Sequence, residues 1–152
     1  MKTTPKNAIE LLKQDHKEVE AMFKSYDNLT DRSKSSKKAL ADQICDALLV
    51  HTQIEEEIFY PAVREAIKDD DLMDEALVEH FSAKELIGEI KQMNADEDLF
   101  DAKVKVLSEQ IEHHVEEEES EMFPKVSKSK IDLEMLCSQM MERKEEVQKL
   151  VV

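Results

Sequence analysis

The chain holds one glycine, three prolines, two cysteines, two tyrosines, five phenylalanines and no tryptophan in 152 residues. So little turn and aromatic chemistry argues against a sheet-rich fold, which draws on glycine, proline and aromatic residues. Leu, Met, Ala, Glu and Lys, used heavily here, are the residues helices favour, and an all-α fold is expected. No apolar run approaches the length needed to span a bilayer. The opening MKTTPKNAIELLKQDH holds no apolar signal segment, so a cytoplasmic location is expected. Positive charge is also scarce: 21 Lys and Arg stand against 36 Asp and Glu, a formal charge of -15. The lysines are interspersed with acids, a pattern that repels a phosphate backbone or an anionic membrane, so neither is an expected partner. Cys45 and Cys137 fit no CxxC or Cys/His pattern and read as ordinary reduced thiols. The length suits a single domain, 1–152.

Thr4-Pro5, a hydroxyl followed by proline at the first helical position, predicts a helix running to about Tyr26. The polar stretch from Thr30 to Lys38 reads as a loop into a second helix. There Leu40, Ile44, Leu48, His51, Glu55, Ile58 and Phe59 recur at helical spacing, and Pro61 should kink or end it. Asp69, Asp70 and Asp71 supply a break and a cap for a third helix, with Met73, Leu77, His80, Lys84 and Ile87 on one stripe. Gly88, beside that stripe, would permit close helix contact. After Asn94 to Asp98 a fourth helix carries Leu107, Ile111, His114, Glu118 and Met122 and should stop near Pro124. A last helix, about 131–150, carries Leu133, Leu136, Met140 and Val147. Having no histidine, it should pack outside the bundle, at about 5–126, or against a protein partner. Met73, Met93, Met122, Met135, Met140 and Met141 fit core filling better than a binding surface.

Two segments match: HTQIEEEIFYP from His51 and HVEEEESEMFP from His114. An offset of 63 relates His51 to His114, Glu55 to Glu118 and Pro61 to Pro124, and 64 relates His16 to His80. Two similar helical hairpins would pair into an up-down-up-down four-helix bundle in which the four histidines converge. A residue and its i+4 neighbour share a helix face, so His51 with Glu55 and His114 with Glu118 can each aim an imidazole and a carboxylate at one metal. Helical spacing puts His113 on the surface. Most side chains of the runs Glu55 to Glu57 and Glu116 to Glu119 should point at water.

A lone histidine on an apolar helix face is more often a hydrogen-bonded core residue than a ligand. Four, one per helix and two with a matched glutamate, are different, because without a metal the buried carboxylates would each cost on the order of several kcal/mol in desolvation. Four imidazoles and two carboxylates are too many for closed tetrahedral zinc and too nitrogen-rich for calcium or magnesium. Two iron ions with an oxo or hydroxo bridge accept the set and leave roughly two of about twelve coordination positions open for dioxygen, peroxide or nitric oxide. The ExxH pairs of ferritin-type sites are absent.

The order His16, His51-x3-Glu55, His80, His114-x3-Glu118, with Asp15 and Glu79 preceding two of the histidines, resembles the hemerythrin-like (HHE cation-binding) domain family over about Ala8 to Lys125. The resemblance implies a non-haem di-iron centre in a four-helix bundle, with His16, His51, Glu55, His80, His114 and Glu118 as metal ligands. The family includes oxygen carriers, sensors, peroxide-decomposing proteins and proteins of iron-centre repair. Oxygen-carrying hemerythrins have a further histidine where this chain has Lys84, which argues against reversible oxygen carriage. Glu20, four residues after His16, is the counterpart of Lys84, and the two are expected to meet at one end of the site as an ion pair or a proton gate. The functional expectation is a di-iron protein binding or reacting with dioxygen, peroxide or nitric oxide in a redox or stress response. The alternatives are a peroxide-decomposing enzyme, an iron donor for iron-sulfur centres, and a helical sensor or interaction module.

Overall fold

Asn7, not Thr4, opens the first helix. In the computed structural model, which describes residues 3–151, α1 (Ala8–Asp27) starts where the Asn7 side chain accepts from the Glu10 N–H at 3.0 Å. Glu10 also accepts from the Lys6 N–H at 2.7 Å, so Thr4-Pro5 lies outside the helix. α2 (Lys34–Ile54) begins inside the stretch expected as loop, after Ser33. Asp69 caps α4 (Asp70–Gln92) by accepting from the Leu72 N–H, as the triple aspartate suggested.

Pro61 was expected to kink or end its helix and the fourth helix to stop near Pro124, but neither proline ends a helix. α2 passes through a π-helical turn, Glu55–Phe59, into α3 (Tyr60–Ile67), and α5 (Phe100–Glu117) passes through Glu118–Met122 into α6 (Phe123–Lys128). At each turn a bond skips five residues: the Tyr60 N–H donates to the Glu55 carbonyl, and the Phe123 N–H to that of Glu118. A proline ring clashes with the carbonyl one turn back, and the widened turn accommodates Pro61 and Pro124 without ending the rod. Lys68, in the left-handed region with φ 52°, stops α3.

These rods form the up-down-up-down bundle, with α1 beside α2, α2 beside α4, α4 beside α5 and α5 closing on α1. α7 (Leu133–Val151) lies outside it against α1 and α2, burying Leu136, Cys137, Met140 and Val147. Of the methionines, Met73, Met122 and Met140 are core, Met93 is half-buried, and Met135 and Met141 are exposed. Gly88 makes no close helix contact: a Cβ there would meet nothing within 4 Å. Two apolar clusters hold the bundle together. One is built on Leu12, Ile54, Phe59, Met73 and Met122, and the other on Phe23, Ile44, Leu48, Ile87 and Phe100. Cys137 belongs to the first and Cys45 to the second, both as free thiols. No strand and no helix long and apolar enough to cross a membrane occurs among the described residues.

Candidate metal centre

Between the apolar clusters His16 on α1, His51 on α2, His80 on α4 and His114 on α5 are buried together with Glu55 and Glu118. Each imidazole turns Nε2 inward. His51 and His80 Nε2 both lie 3.2 Å from Glu55 Oε1, while Glu118 meets His16 Nε2 at 3.2 Å through Oε1 and His114 Nε2 at 3.3 Å through Oε2. His80 and His114 Nε2 are 3.2 Å apart. Two overlapping donor groups result, His16, His51, Glu55 and Glu118 in one and Glu55, His80 and His114 in the other.

Each outer nitrogen has a carboxylate of its own. Nδ1 of His51 pairs with Asp15 at 3.0 Å, of His80 with Glu56 at 2.9 Å, and of His16 and His114 with Glu119 and Glu79 at 2.6 Å each. Such pairs fix the ring orientation and direct the inner nitrogen at a ligand. The 63- and 64-residue repeat is visible here, since Asp15 matches Glu79 and Glu56 matches Glu119. Glu56 and Glu119 come from the glutamate runs expected to face mostly water, and they turn inward because each is one residue beyond a buried glutamate and borders the site. α7 also reaches it: Lys144 Nζ lies 2.7 Å from Asp15 Oδ1.

Glu20 and Lys84 do not meet. They lie on α1 and α4, diagonal in the bundle, and each has a nearer partner: Glu20 pairs with Lys24 at 3.3 Å on the surface, and Lys84 with Glu56 at 2.7 Å. Lys84 thus touches the carboxylate behind His80 and not the inner layer. His113 is 67% exposed, as helical spacing suggested.

Sequence reasoning missed Tyr60. In a π-helical turn residues i and i+5 align, so Tyr60 falls over Glu55. Its hydroxyl donates to Glu118 Oε2 at 2.5 Å and lies 3.3 Å from Glu55 Oε1 and 3.2 Å from Nε2 of both His80 and His114. The repeat carried a signal: 63 residues on stands Phe123, which stacks on His16 as Tyr60 stacks on His80. The hydroxyl is what breaks the symmetry. Burial and the charges of Glu118 and Glu55 push the phenol well above its usual range, so it holds its proton. We expect Tyr60→Phe to lower the stability of the metal-free chain by about 1.5–3 kcal/mol, because a buried carboxylate loses its O–H donor. Urea unfolding under chelation measures this, and an unchanged midpoint would contradict it.

Among the buried polar atoms that form no hydrogen bond are His16 Nε2, His51 Nε2, Glu55 Oε2 and Glu118 Oε1. All four face the layer where a cation would sit, and a mixed imidazole and carboxylate set of this size suits transition-metal ions. The residues fit a metal.

Burial opposes charge on His51, His80 and His114, but neighbouring carboxylates outweigh it. Glu55 and Asp15 act on His51, Glu55 and Glu56 on His80, and Glu118 and Glu79 on His114, which is pushed up to about 10. Their contribution to the metal-free fold is complete below the ordinary histidine value near 6.5 and is lost as pH rises through the raised values. The partners respond in the opposite sense. Burial alone would raise Asp15, Glu56 and Glu118, yet the imidazoles hold them low, and the His114 bond lowers Glu79. Their contribution is lost as pH falls. Ligation requires neutral imidazole, so metal uptake at pH 7 should release up to three protons per chain, one from each raised histidine. Calorimetry in buffers of different ionisation enthalpy measures the release, and affinity should rise from pH 6 to 8. Uptake with no proton release would contradict this.

A small cavity of about 20 Å³ touches all four histidines, with Val19, Ile111, Val115 and Gln110 in its wall. It has room for a water-sized molecule. Gln110 Oε1 is buried without a hydrogen-bond partner. On the other side of His16, Val19, Ile111 and Val115, a cleft of about 480 Å³ between α1 and α5 opens toward solvent past Glu20, Lys24 and Glu112. These three apolar side chains separate the histidines from the cleft.

Fold and donor set together define a helical-bundle metal-binding protein. The chain belongs to the hemerythrin HHE cation binding domain family, whose family model matches residues 7–126. A crystal structure of a hemerythrin HHE cation binding domain-containing protein from Mycobacterium kansasii is similar with a TM-score of 0.81 at 25% identity, covering 95% of this chain and 88% of that one. A curated relative described as a DNA nickase, from Nostoc sp. (strain PCC 7120), is 29% identical over 117 residues, 77% of this chain and 32% of the relative. The chain thus spans about a third of that relative's length.

Proposed function

We propose that this chain is a cytoplasmic non-haem di-iron protein that binds or reacts with dioxygen, peroxide or nitric oxide. The residues that would hold the iron on this reading are His16, His51, Glu55, His80, His114 and Glu118, each carboxylate standing between two histidines. The observation that carries the reading is the convergence of four inward Nε2 atoms on two buried carboxylates, with a separate carboxylate behind every imidazole. Iron bound there would supply one-electron redox chemistry and exchangeable positions for a small oxidant. The chain's own groups divide the remaining work. Asp15, Glu56, Glu79 and Glu119 orient the rings; Val19, Ile111 and Val115 keep bulk water out; Gln110 offers a polar atom at the cavity wall; Tyr60 holds a proton beside Glu118.

That last feature favours peroxide decomposition as a second reading, since such turnover needs a proton donor within reach. Tyr60 fills this role better than Glu20 or Lys84, whose head groups are engaged elsewhere. DNA nicking is not carried over: the match spans 32% of the nickase, and a charge of -15 opposes approach to a phosphate backbone.

Ferrous reconstitution without oxygen, followed by separate mixing with dioxygen, peroxide and nitric oxide in a stopped-flow spectrometer, tests the proposal. At least one should give a rapid spectral change. Val115→Trp, which fills the gap between cleft and cavity, should slow it about tenfold, equivalent to about 1.4 kcal/mol in the barrier, with metal content unchanged. No response to any of the three would overturn the proposal.

A further inference from the structure

Glu79, His113 and Glu117 form another donor cluster, at the surface of α4 and α5. His113 Nε2 lies 3.1 Å from Glu117 Oε2 and 3.7 Å from Glu79 Oε2, and one donor atom from each residue falls within 4.8 Å of the others. We propose that this cluster is a loading site for a divalent transition-metal cation, which docks here from solvent and passes inward to the histidine layer. The destination of the ion rests on the reading of that layer as a metal centre; the docking itself does not.

The first argument is connection. Glu79 divides its two oxygens between the sites: Oε1 pairs with His114 Nδ1 at 2.6 Å, and Oε2 faces His113. A small cavity of about 10 Å³ is lined both by Glu75, Glu79 and Glu117 and by His114 and Glu118. Glu118 is fully buried, and its Oε1, 3.2 Å from His16 Nε2, forms no hydrogen bond. A wholly buried carboxylate oxygen that forms no hydrogen bond, at the inner side of a cavity lined by carboxylates, suits a cation.

The second argument is the donor set. Glu117 Oε2 is shut off from solvent and lies 3.1 Å from His113 Nε2, and the Glu79 and Glu117 side chains are hydrogen-bonded to each other, so the three donors crowd one spot. A lone i,i+4 pair of His113 and Glu117 would not need Glu79. One imidazole with two carboxylates suits zinc, iron, manganese or cobalt more than calcium or magnesium, which take oxygen ligands alone. Three protein ligands leave water to complete the shell, so an ion can arrive and leave. The third argument comes from the repeat. An offset of 63 sets Val50 against His113 and Ile54 against Glu117, so the other half has no such cluster. The adjacent histidines of the second half gain a rationale: successive residues on a helix point about 100° apart, so His114 faces the layer while His113 faces solvent.

The test adds cobalt(II) to the metal-free chain and to its His113→Ala and Glu117→Gln variants, neither of which alters an inner-layer residue. In histidine side-chain NMR, the His113 signals should shift or broaden at the lowest cobalt additions. In stopped-flow absorbance, both variants should load the inner layer at least about tenfold more slowly, while their final cobalt content equals that of the parent. His113 signals unmoved by cobalt, or variants loading at the parent rate, would overturn the proposal. A parent chain whose four inner histidines show no cobalt contact would instead refute the central metal reading, and the His113 signals would still decide whether the surface cluster binds the ion.

Discussion

Glu118→Ala, and separately Glu55→Ala, will reduce the metal content of the purified chain from about two ions to fewer than about one. The reason is the sharing of each carboxylate. Glu55 Oε1 stands 3.2 Å from His51 and from His80, and Glu118 spans His16 and His114 at 3.2 and 3.3 Å. Glu55 belongs to both donor groups, and Glu118, a member of the first, also reaches His114 of the second, whereas His16→Ala touches one. Loss of Glu118 also leaves the Tyr60 hydroxyl without its shortest acceptor. Glu118→Gln separates charge from shape, because the amide oxygen can still accept from Tyr60 while the negative charge is gone. It should weaken binding by about 10–100-fold or more with the fold intact. Elemental analysis after equilibrium dialysis, with helix content by circular dichroism as the folding control, decides the matter. Full metal content in the folded alanine variants would contradict the shared-carboxylate account.

Stripping metal from the parent chain should have an equally large effect on stability. An ion held at a free concentration about a thousand times its dissociation constant stabilises the fold by about 4 kcal/mol, and two give about 8 kcal/mol. For a chain of this size that corresponds to a fall in thermal midpoint of roughly 15–30 °C on chelation. The metal-free chain should remain folded, because two apolar clusters flank the histidine layer and three of its imidazoles have raised proton affinity that lets them pair with carboxylates. Scanning calorimetry with and without chelator measures the difference, and a shift under about 5 °C would contradict tight binding in the layer.

Much of this architecture was legible because helical periodicity and the repeat are properties of sequence alone. His16, His51, His80 and His114 lie on stripes that also carry core residues, so a bundle that buries the stripes brings them together. What could not be read depended on local backbone change. The π-helical turns shift the phase after Glu55 and Glu118, and a uniform 3.6-residue period places Ile58 and Phe59 on the site face and overlooks Tyr60. Pro61 and Pro124 were visible, but a widened turn and a helix end share the same proline signal. Pairings across the bundle were harder still. Glu20 and Lys84 are equivalent by repeat, yet their helices are diagonal, and Lys84 found Glu56 on the neighbouring rod. The start of α1 turned on a choice between two capping residues three positions apart, settled by the Glu10 side chain.

α7 gives the account a further link. Beyond covering Leu12 and its neighbours, it sends Lys144 to Asp15, the carboxylate behind His51, and Arg143 to Glu57 in the first π-helical turn at 2.8 Å. The last helix therefore braces one half of the histidine layer, and its buried Leu136, Met140 and Val147 serve the core.

The central claim is that six side chains hold two metal ions in one buried layer. Anomalous diffraction at the iron edge, from crystals of the chain loaded with ferrous iron without oxygen, tests it most directly. The account predicts two anomalous peaks about 3–4 Å apart, bounded by His16, His51, Glu55, His80, His114 and Glu118. A single peak, or iron bound elsewhere with none in the histidine layer, would contradict it.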